Sequence, residues 1–188
     1  MTRPVARGLA WLYLVGGGLG LVAAITLTLE KIARLIDPSY VPSCSINPVL
    51  SCGSVMDSAQ AAAFGFPNPV IGVAAFPVVV TFGAALLTGY APPRWVWAGM
   101  QLGSLFGVGF VHWLIAQSLH HIHALCPYCI VVWIVTIAIF WYTTLHTLGG
   151  TRLGAAVRRV HSGVLALWYV VIVVLVLVEF RSYWSTLL

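Results

Sequence analysis

Between Val70 and Thr151 the chain carries one formal charge, Arg94, in the turn Pro92-Pro93-Arg94. Few folds tolerate that. Soluble domains are about 25% charged, whereas this 188-residue chain is 7% charged and 61% hydrophobic. No polar stretch is long enough to bury a core of its own. The expectation is an all-α integral membrane protein, a single domain over 1–188. Crossing a bilayer as a helix takes roughly 20 apolar residues, and five stretches qualify: about 9–29, 70–90, 95–119, 126–146 and 164–180. The first follows Arg3 and Arg7, as a signal peptide would. It is too long for a signal core and lacks a small-residue cleavage site, so it reads as a retained anchor. The net charge of +5 does not point to nucleic acid, because the basic residues are scattered near the ends of apolar stretches.

Those ends predict orientation. With the N-terminus inside, Arg3, Arg7, Arg94, Arg152, Arg158 and Arg159 are cytoplasmic. Lys31, Arg34 and Arg181 fall outside, with the acids Glu30, Asp37, Asp57 and Glu179. The positive-inside rule favours this N-in, C-out arrangement. A long loop, 31–69, then lies outside and the loop 147–163 lies inside.

The chain has four cysteines. Cys44 and Cys52 follow one crossing, and Cys126 and Cys129 follow three. Both groups therefore share one face, and the charge rule makes it extracytoplasmic, where disulfides persist. Cys126-Pro127-Tyr128-Cys129 opens an apolar helix. Unpaired N–H groups at a helix start lower a thiol pKa, and the thiolate is the reactive form. Pro127 suits the first helical turn because its missing N–H costs nothing there. The spacing predicts that Cys126 faces water while Cys129, one turn deeper, faces the bundle interior. A redox relay is the leading reading; a structural staple or metal ligands are the alternatives for this motif alone.

The outer loop is broken by Pro38, Pro42, Pro48, Pro67 and Pro69. Between them 54–64 is predicted as a short interfacial helix, a lid over the bundle, with Asp57 near its start where the helix dipole favours an anion. Gly99, Gly103 and Gly107 on the third span, and Gly16 and Gly20 on the first, read as ordinary close packing of helices. A cleft for a flat ligand is the alternative. His120, His121 and His123 read as a polar outer turn that tunes Cys126 or supplies protons, with a zinc or copper site as the alternative. His112 lies inside a span, where polar groups are costly; it either bonds across the bundle or sits near a ligand. His146 and His161 fall at the cytoplasmic side.

Cys44-Ser45-Ile46-Asn47-Pro48-Val49-Leu50-Ser51-Cys52-Gly53, then Ser58, then Phe64-Gly65-Phe66-Pro67-Asn68-Pro69 with Gly72, then Cys126-Pro127-Tyr128-Cys129, resemble the vitamin K epoxide reductase family in its bacterial disulfide-forming branch. The resemblance covers roughly 9 to 146. It implies a four-helix bundle around a quinone, with a fifth helix as in bacterial members. It also implies a shuttle disulfide pair, Cys44 and Cys52, and an active-site pair, Cys126 and Cys129. By the same resemblance Asn68 bonds a quinone carbonyl and Ser58 sits near that pocket, with Phe66, Trp133 and His112 as further candidate contacts; no resident metal is implied. The acceptor would be menaquinone or ubiquinone. The donor would be a separate thioredoxin-like protein in the periplasm or cell-wall space, since bacterial members often fuse that domain after the fifth helix and this chain ends at Leu188. Vertebrate members carry a tyrosine where Trp133 stands. The expectation is thus quinone reduction in a bacterial inner membrane and does not extend to epoxide reduction or anticoagulant sensitivity.

A strong periplasmic thiol oxidant sits at about −120 mV against about −270 mV for thioredoxin, so reoxidising it needs a high-potential acceptor such as a quinone. The other quinone-linked disulfide oxidase family has its Cys-x-x-Cys early in the chain, and the order here is reversed. A non-catalytic subunit or metal carrier is the rival from another class. A proton-coupled transporter is disfavoured by the lack of acids within the spans.

Overall fold

The computed structural model describes residues 7–185, and Arg3 of the charge pattern lies outside the described residues. In chain order, α1 runs Arg7–Ile36 with a π turn at Leu12–Gly16. A short α2 spans Cys52–Met56, and a 3-10 turn follows at Ala59–Ala62. The helix α3 spans Pro69–Leu87, α4 spans Arg94–Ile122 with a final π turn at Ser118–Ile122, and α5 spans Pro127–Thr147. Then come α6 at Arg152–Arg159, α7 at His161–Glu179 and α8 at Arg181–Trp184. Five of these helices, α1, α3, α4, α5 and α7, are long and apolar enough to cross a membrane. Among the described residues the only strand-like pairing is an isolated parallel bridge between Leu50 and Leu125.

Helix ends follow local chemistry. The first helix outruns its apolar stretch and stops at Ile36, before Asp37-Pro38. The residue ahead of a proline is pushed out of the α region, and no earlier residue breaks the helix. Pro69 and Pro127 each occupy a first helical turn, where proline is tolerated. The lid helix differs from expectation. It starts at Cys52 because the Ser51 side chain accepts from the Ser54 N–H at 3.3 Å, and it ends at Met56. Asp57 thus stands at its C-terminal cap, the wrong end for the dipole. An ion pair with Arg34 holds it instead.

The first helix packs against α3 and α5, and α4 packs against α5. Close approach of α1 and α3 depends on glycine. A Cβ on Gly20 would meet the Phe76 ring at 2.4 Å, and one on Gly83 would meet the Leu14 backbone N at 2.6 Å. At the end far from the cysteines, buried Tyr13 and Thr143 share a hydroxyl hydrogen bond of 2.6 Å. The glycines of α4 behave differently from the packing expectation: Gly99 and Gly103 have nothing within 4 Å of a modest added Cβ. They face a space, because α3 and α4 scarcely touch along their length.

The fifth long helix has no buried residue of its own. It is held on the bundle by half-buried apolar side chains, Leu165, Ile172 and Val176 among them, and by polar contacts. Trp168 Nε1 donates to His112 Nε2 at 2.9 Å, Tyr169 donates to the Ile134 carbonyl at 2.8 Å, and Trp141 Nε1 donates to the His161 carbonyl at 3.1 Å. His112 Nδ1 faces the Val108 carbonyl at 2.7 Å. Both ring nitrogens are thus engaged, with Nδ1 as the donor and Nε2 as the acceptor.

Candidate active site

The two cysteine groups meet through backbone pairing. Asn47 Oδ1 accepts from the N–H groups of Val49 and Leu50 at 3.0 and 2.7 Å, folding 45–50 into a tight turn. An asparagine bonding the backbone just ahead of it is a common turn device. The turn presents its end to the chain before α5. Leu125 N donates to the Val49 carbonyl at 2.7 Å, and Ser51 N donates to the Leu125 carbonyl at 2.9 Å. That register places Cys52, one residue past Ser51, beside Cys126, one residue past Leu125. Their sulfurs are 2.9 Å apart, just under the roughly 3–3.5 Å of a near-attack geometry.

Cys44 and Cys52 form a disulfide with a Cα–Cα distance of 5.6 Å, and Cys126 and Cys129 are free thiols. The sulfurs of Cys44, Cys52 and Cys126 all lie within 4.8 Å of one another. Cys126 does not face water as the spacing predicts: it is 1% exposed. The lid folds over it, since Cys44, Cys52 and Met56 pack with it in one cluster that Cys129 also touches. Contact with the Cys129 thiol holds the Cys126 thiol below its ordinary pKa, and backbone N–H groups of Cys129 and Tyr128 add to this. Those effects outweigh burial and the negative charge of Glu30, which both act the other way.

The lid is latched to α1. Lys31 Nζ donates to the Met56 carbonyl at 2.8 Å. Arg34 Nε donates to Asp57 Oδ1 at 2.8 Å while Nη1 donates to the Tyr40 carbonyl at 2.7 Å. Hydrogen bonding from Arg34 keeps the Asp57 carboxyl below the ordinary carboxylate range, against a smaller opposing effect of burial. Glu30, 8% exposed, accepts from the Ser43 hydroxyl at 2.6 Å, next to Cys44, and also from the Tyr40 hydroxyl. The sequence reading placed Glu30 among outer charges and gave it no role. Its signal was an acid at the end of an otherwise apolar stretch.

Beneath the lid lies an apolar cavity of about 940 Å³, within the usual size range of ligand pockets. Cys52, Cys126 and Cys129 stand at one end with Ser58 and Asn68; Trp133 lines its wall; Ala85 and Trp95 lie at the other end. Gly99, Gly103 and Gly107 form one side, so the cleft alternative is the one their positions fit. Asn68 Oδ1 accepts from the Ala63 N–H at 3.0 Å and Nδ2 donates to the Gln60 carbonyl at 2.7 Å. The Ser58 hydroxyl donates to the Val55 carbonyl at 2.7 Å.

Three expected members stand elsewhere. Cys44 lies outside the lining, joined to it through Cys52. Phe66 is not among the lining residues; it stacks on Phe64, whose ring reaches Phe110 of α4 at 5.6 Å. His112 is also absent from the lining and is turned to Trp168 on the fifth long helix. The expected histidine turn is aimed at α7: His123 Nδ1 lies 3.3 Å and His120 Nδ1 3.9 Å from the Glu179 carboxylate.

In chemical terms, a disulfide touches a thiol, and that thiol touches a second thiol on the wall of an apolar chamber. The profile of the vitamin K epoxide reductase family matches residues 11–144. Comparison with curated proteins gives no match.

Proposed function

The chain belongs to the vitamin K epoxide reductase family and is a membrane thiol oxidoreductase; on that premise we propose that it oxidises a thioredoxin-like protein outside the cytoplasm and delivers the electrons to a membrane quinone. The observation that carries this reading is the 2.9 Å approach of the Cys52 and Cys126 sulfurs at the head of the cavity that Cys129 lines. The host would be a bacterial inner membrane, with the N-terminus cytoplasmic and all four cysteines on the opposite face.

In this reading a partner thiolate attacks Cys44. The Cys44–Cys52 bond breaks, and Cys52 leaves as a thiolate. Cys52 attacks Cys126 of an oxidised Cys126–Cys129 pair, releasing Cys129 as a thiolate. The partner's second cysteine resolves its bond to Cys44. Cys44 then attacks Cys52, restoring the outer disulfide and freeing Cys126. The arrangement of one disulfide and two free thiols corresponds to this point, with the electron pair on the inner cysteines. A bound quinone would accept two electrons and two protons from that dithiol. The residues fit such a group: an apolar chamber with Asn68 and Ser58 at its sulfur end. The amide nitrogen of Asn68 keeps a second hydrogen for a carbonyl. Met56 and the lid exclude water from the sulfurs, so thiolates are passed between sulfurs rather than protonated by solvent.

The test is quinol formation by the purified chain with a reduced Cys-x-x-Cys protein and menaquinone or ubiquinone. Wild type is expected to form quinol and Cys129→Ser to form none, while the variant still accumulates a mixed disulfide with the partner. Undiminished quinol formation by Cys129→Ser would overturn the reading. The rival, a membrane subunit or metal carrier, is supported by three sulfurs within 4.8 Å. It expects partner oxidation to be unaffected by that substitution.

A further inference from the structure

We propose that the corner where the fifth long helix turns into α8 positions the sulfur exchange, with Phe180 as the positioning residue and Glu179 as its support. The inference rests on the Cys52-to-Cys126 step proposed above. This part of the chain lies beyond the residues 11–144 that the family profile matches. Among the described residues from 161 to 185, Phe180 alone is buried, at 6% exposed. Along the helix itself side chains are half-buried at most. Full burial comes once, at the cysteine end.

Two observations fix where that burial falls. Phe180 shares one apolar cluster with Val49 and Leu125, and Leu50, Tyr183 and Trp184 pack against the same cluster. Glu179, the residue before it, brings its carboxylate to 3.3 Å from His123 Nδ1 and 3.9 Å from His120 Nδ1. His123 stands two residues ahead of Leu125 and has a left-handed backbone, with φ 52°. A non-glycine residue keeps that conformation only where its surroundings hold it. The corner therefore meets the chain where α4 reverses into the Leu50–Leu125 bridge.

The bridge is small and needs cover. Leu125 donates to the Val49 carbonyl and accepts from the Ser51 N–H, and among the described residues no further strand pairing extends it. Hydrogen bonds open to water add little net stability, because water competes for the same groups. Burying Val49, Leu125 and Phe180 together removes that competitor and fixes the register. Cys52 follows Ser51 and Cys126 follows Leu125, so a shift in the bridge moves both sulfurs. The Glu179 contacts are with exposed histidines, and solvent screens such pairs. Phe180 carries most of the effect.

The sulfur contact is read directly in the full chain carrying Cys44→Ser and Cys129→Ser, which leaves Cys52 and Cys126 as its two thiols. Diamide oxidises them: the Cys52–Cys126 bond forms, and two electrons and two protons pass to diamide, giving the hydrazine. Loss of free thiol with time gives the rate. Phe180→Ala is expected to lower it by at least about 10-fold, because misplacing reacting atoms by about 1 Å can cost about 100-fold. Phe180→Leu is expected to fall between, and Glu179→Ala to lower the rate by about 2–5-fold. Trp168→Phe loosens the same helix away from the bridge and is expected to leave the rate unchanged. A loss there as large as in Phe180→Ala would trace the effect to general loosening and overturn the inference. So would a wild-type rate in Phe180→Ala or, where that variant does not fold, in both Phe180→Leu and Glu179→Ala. With all four cysteines present, Phe180→Ala is expected to lower kcat for quinol formation with the quinone KM unchanged, since Phe180 does not border the cavity. Wild type that forms no quinol would sink the proposed function and leave the diamide result standing. Normal quinol formation with a diamide rate indifferent to residue 180 would do the reverse.

Discussion

Asn68 serves two ends. Its side chain ties the 3-10 turn to the start of α3 by bonds to Ala63 and Gln60, and it borders the cavity beside the sulfurs. Asn68→Ala removes both lid bonds, a loss of about 1–3 kcal/mol for groups left unpaired. It is expected to raise the KM for quinone more than it lowers kcat, and steady-state kinetics with both substrates checks this. Cys126 makes a second prediction at this scale. Its thiol is held low chiefly by Cys129, so its thiolate persists to lower pH than that of an ordinary cysteine. In Cys129→Ala the pH profile of Cys126 alkylation is expected to move upward. An unmoved profile would show that the backbone N–H groups alone set its reactivity.

At the level of elements, glycines on different helices play opposite parts. Gly20 and Gly83 have no room for a Cβ, whereas Gly103 borders open space. Gly83→Ala forces α1 and α3 apart, and overpacking of this kind costs about 1–3 kcal/mol. Gly103→Ala is expected to leave thermal stability unchanged while weakening quinone binding. Thermal unfolding with and without added quinone separates the two. The lid follows a different logic. Its helix is only Cys52–Met56, too short to stand alone. It is held by the Ser51 cap, the Leu50–Leu125 bridge and the Lys31 and Arg34 latch. These tie the lid at both ends and keep its disulfide buried, with Cys44 5% and Cys52 0% exposed.

For the whole molecule, the bundle is incomplete by design of its packing. Two neighbouring helices in sequence, α3 and α4, leave a gap, and the cavity fills it. The fifth long helix sits on the other side and buries none of its own residues. Its docking rests on Leu165, Trp168, Tyr169, Ile172 and Val176, half-buried against the core, and on a few hydrogen bonds, among them Trp168 to His112. Trp168→Phe leaves His112 Nε2 without its donor. It is expected to lower thermal stability by about 1–3 kcal/mol without changing the quinone KM, because His112 does not border the cavity. A raised KM would place His112 at the ligand after all.

By itself the sequence determined the helical membrane class, the number of spans and the gathering of both cysteine groups at one end. These follow from one-dimensional quantities: apolar length, charge spacing and the parity of crossings. The helix start at Pro127 was legible for the same reason, since proline acts on its own neighbours, whereas Pro69, read as a break in the loop, opens α3. Tertiary structure alone decided which sulfurs touch, that Cys126 is covered, that Asp57 belongs to Arg34, and that His112 serves α7. It also decided that Gly99 and Gly103 face a chamber while Gly20 and Gly83 face a helix and Gly107 lies against Thr136. Each of these depends on which side chains three or four separate segments bring to one point. Periodicity assigns a residue to a face, and only packing says what that face meets.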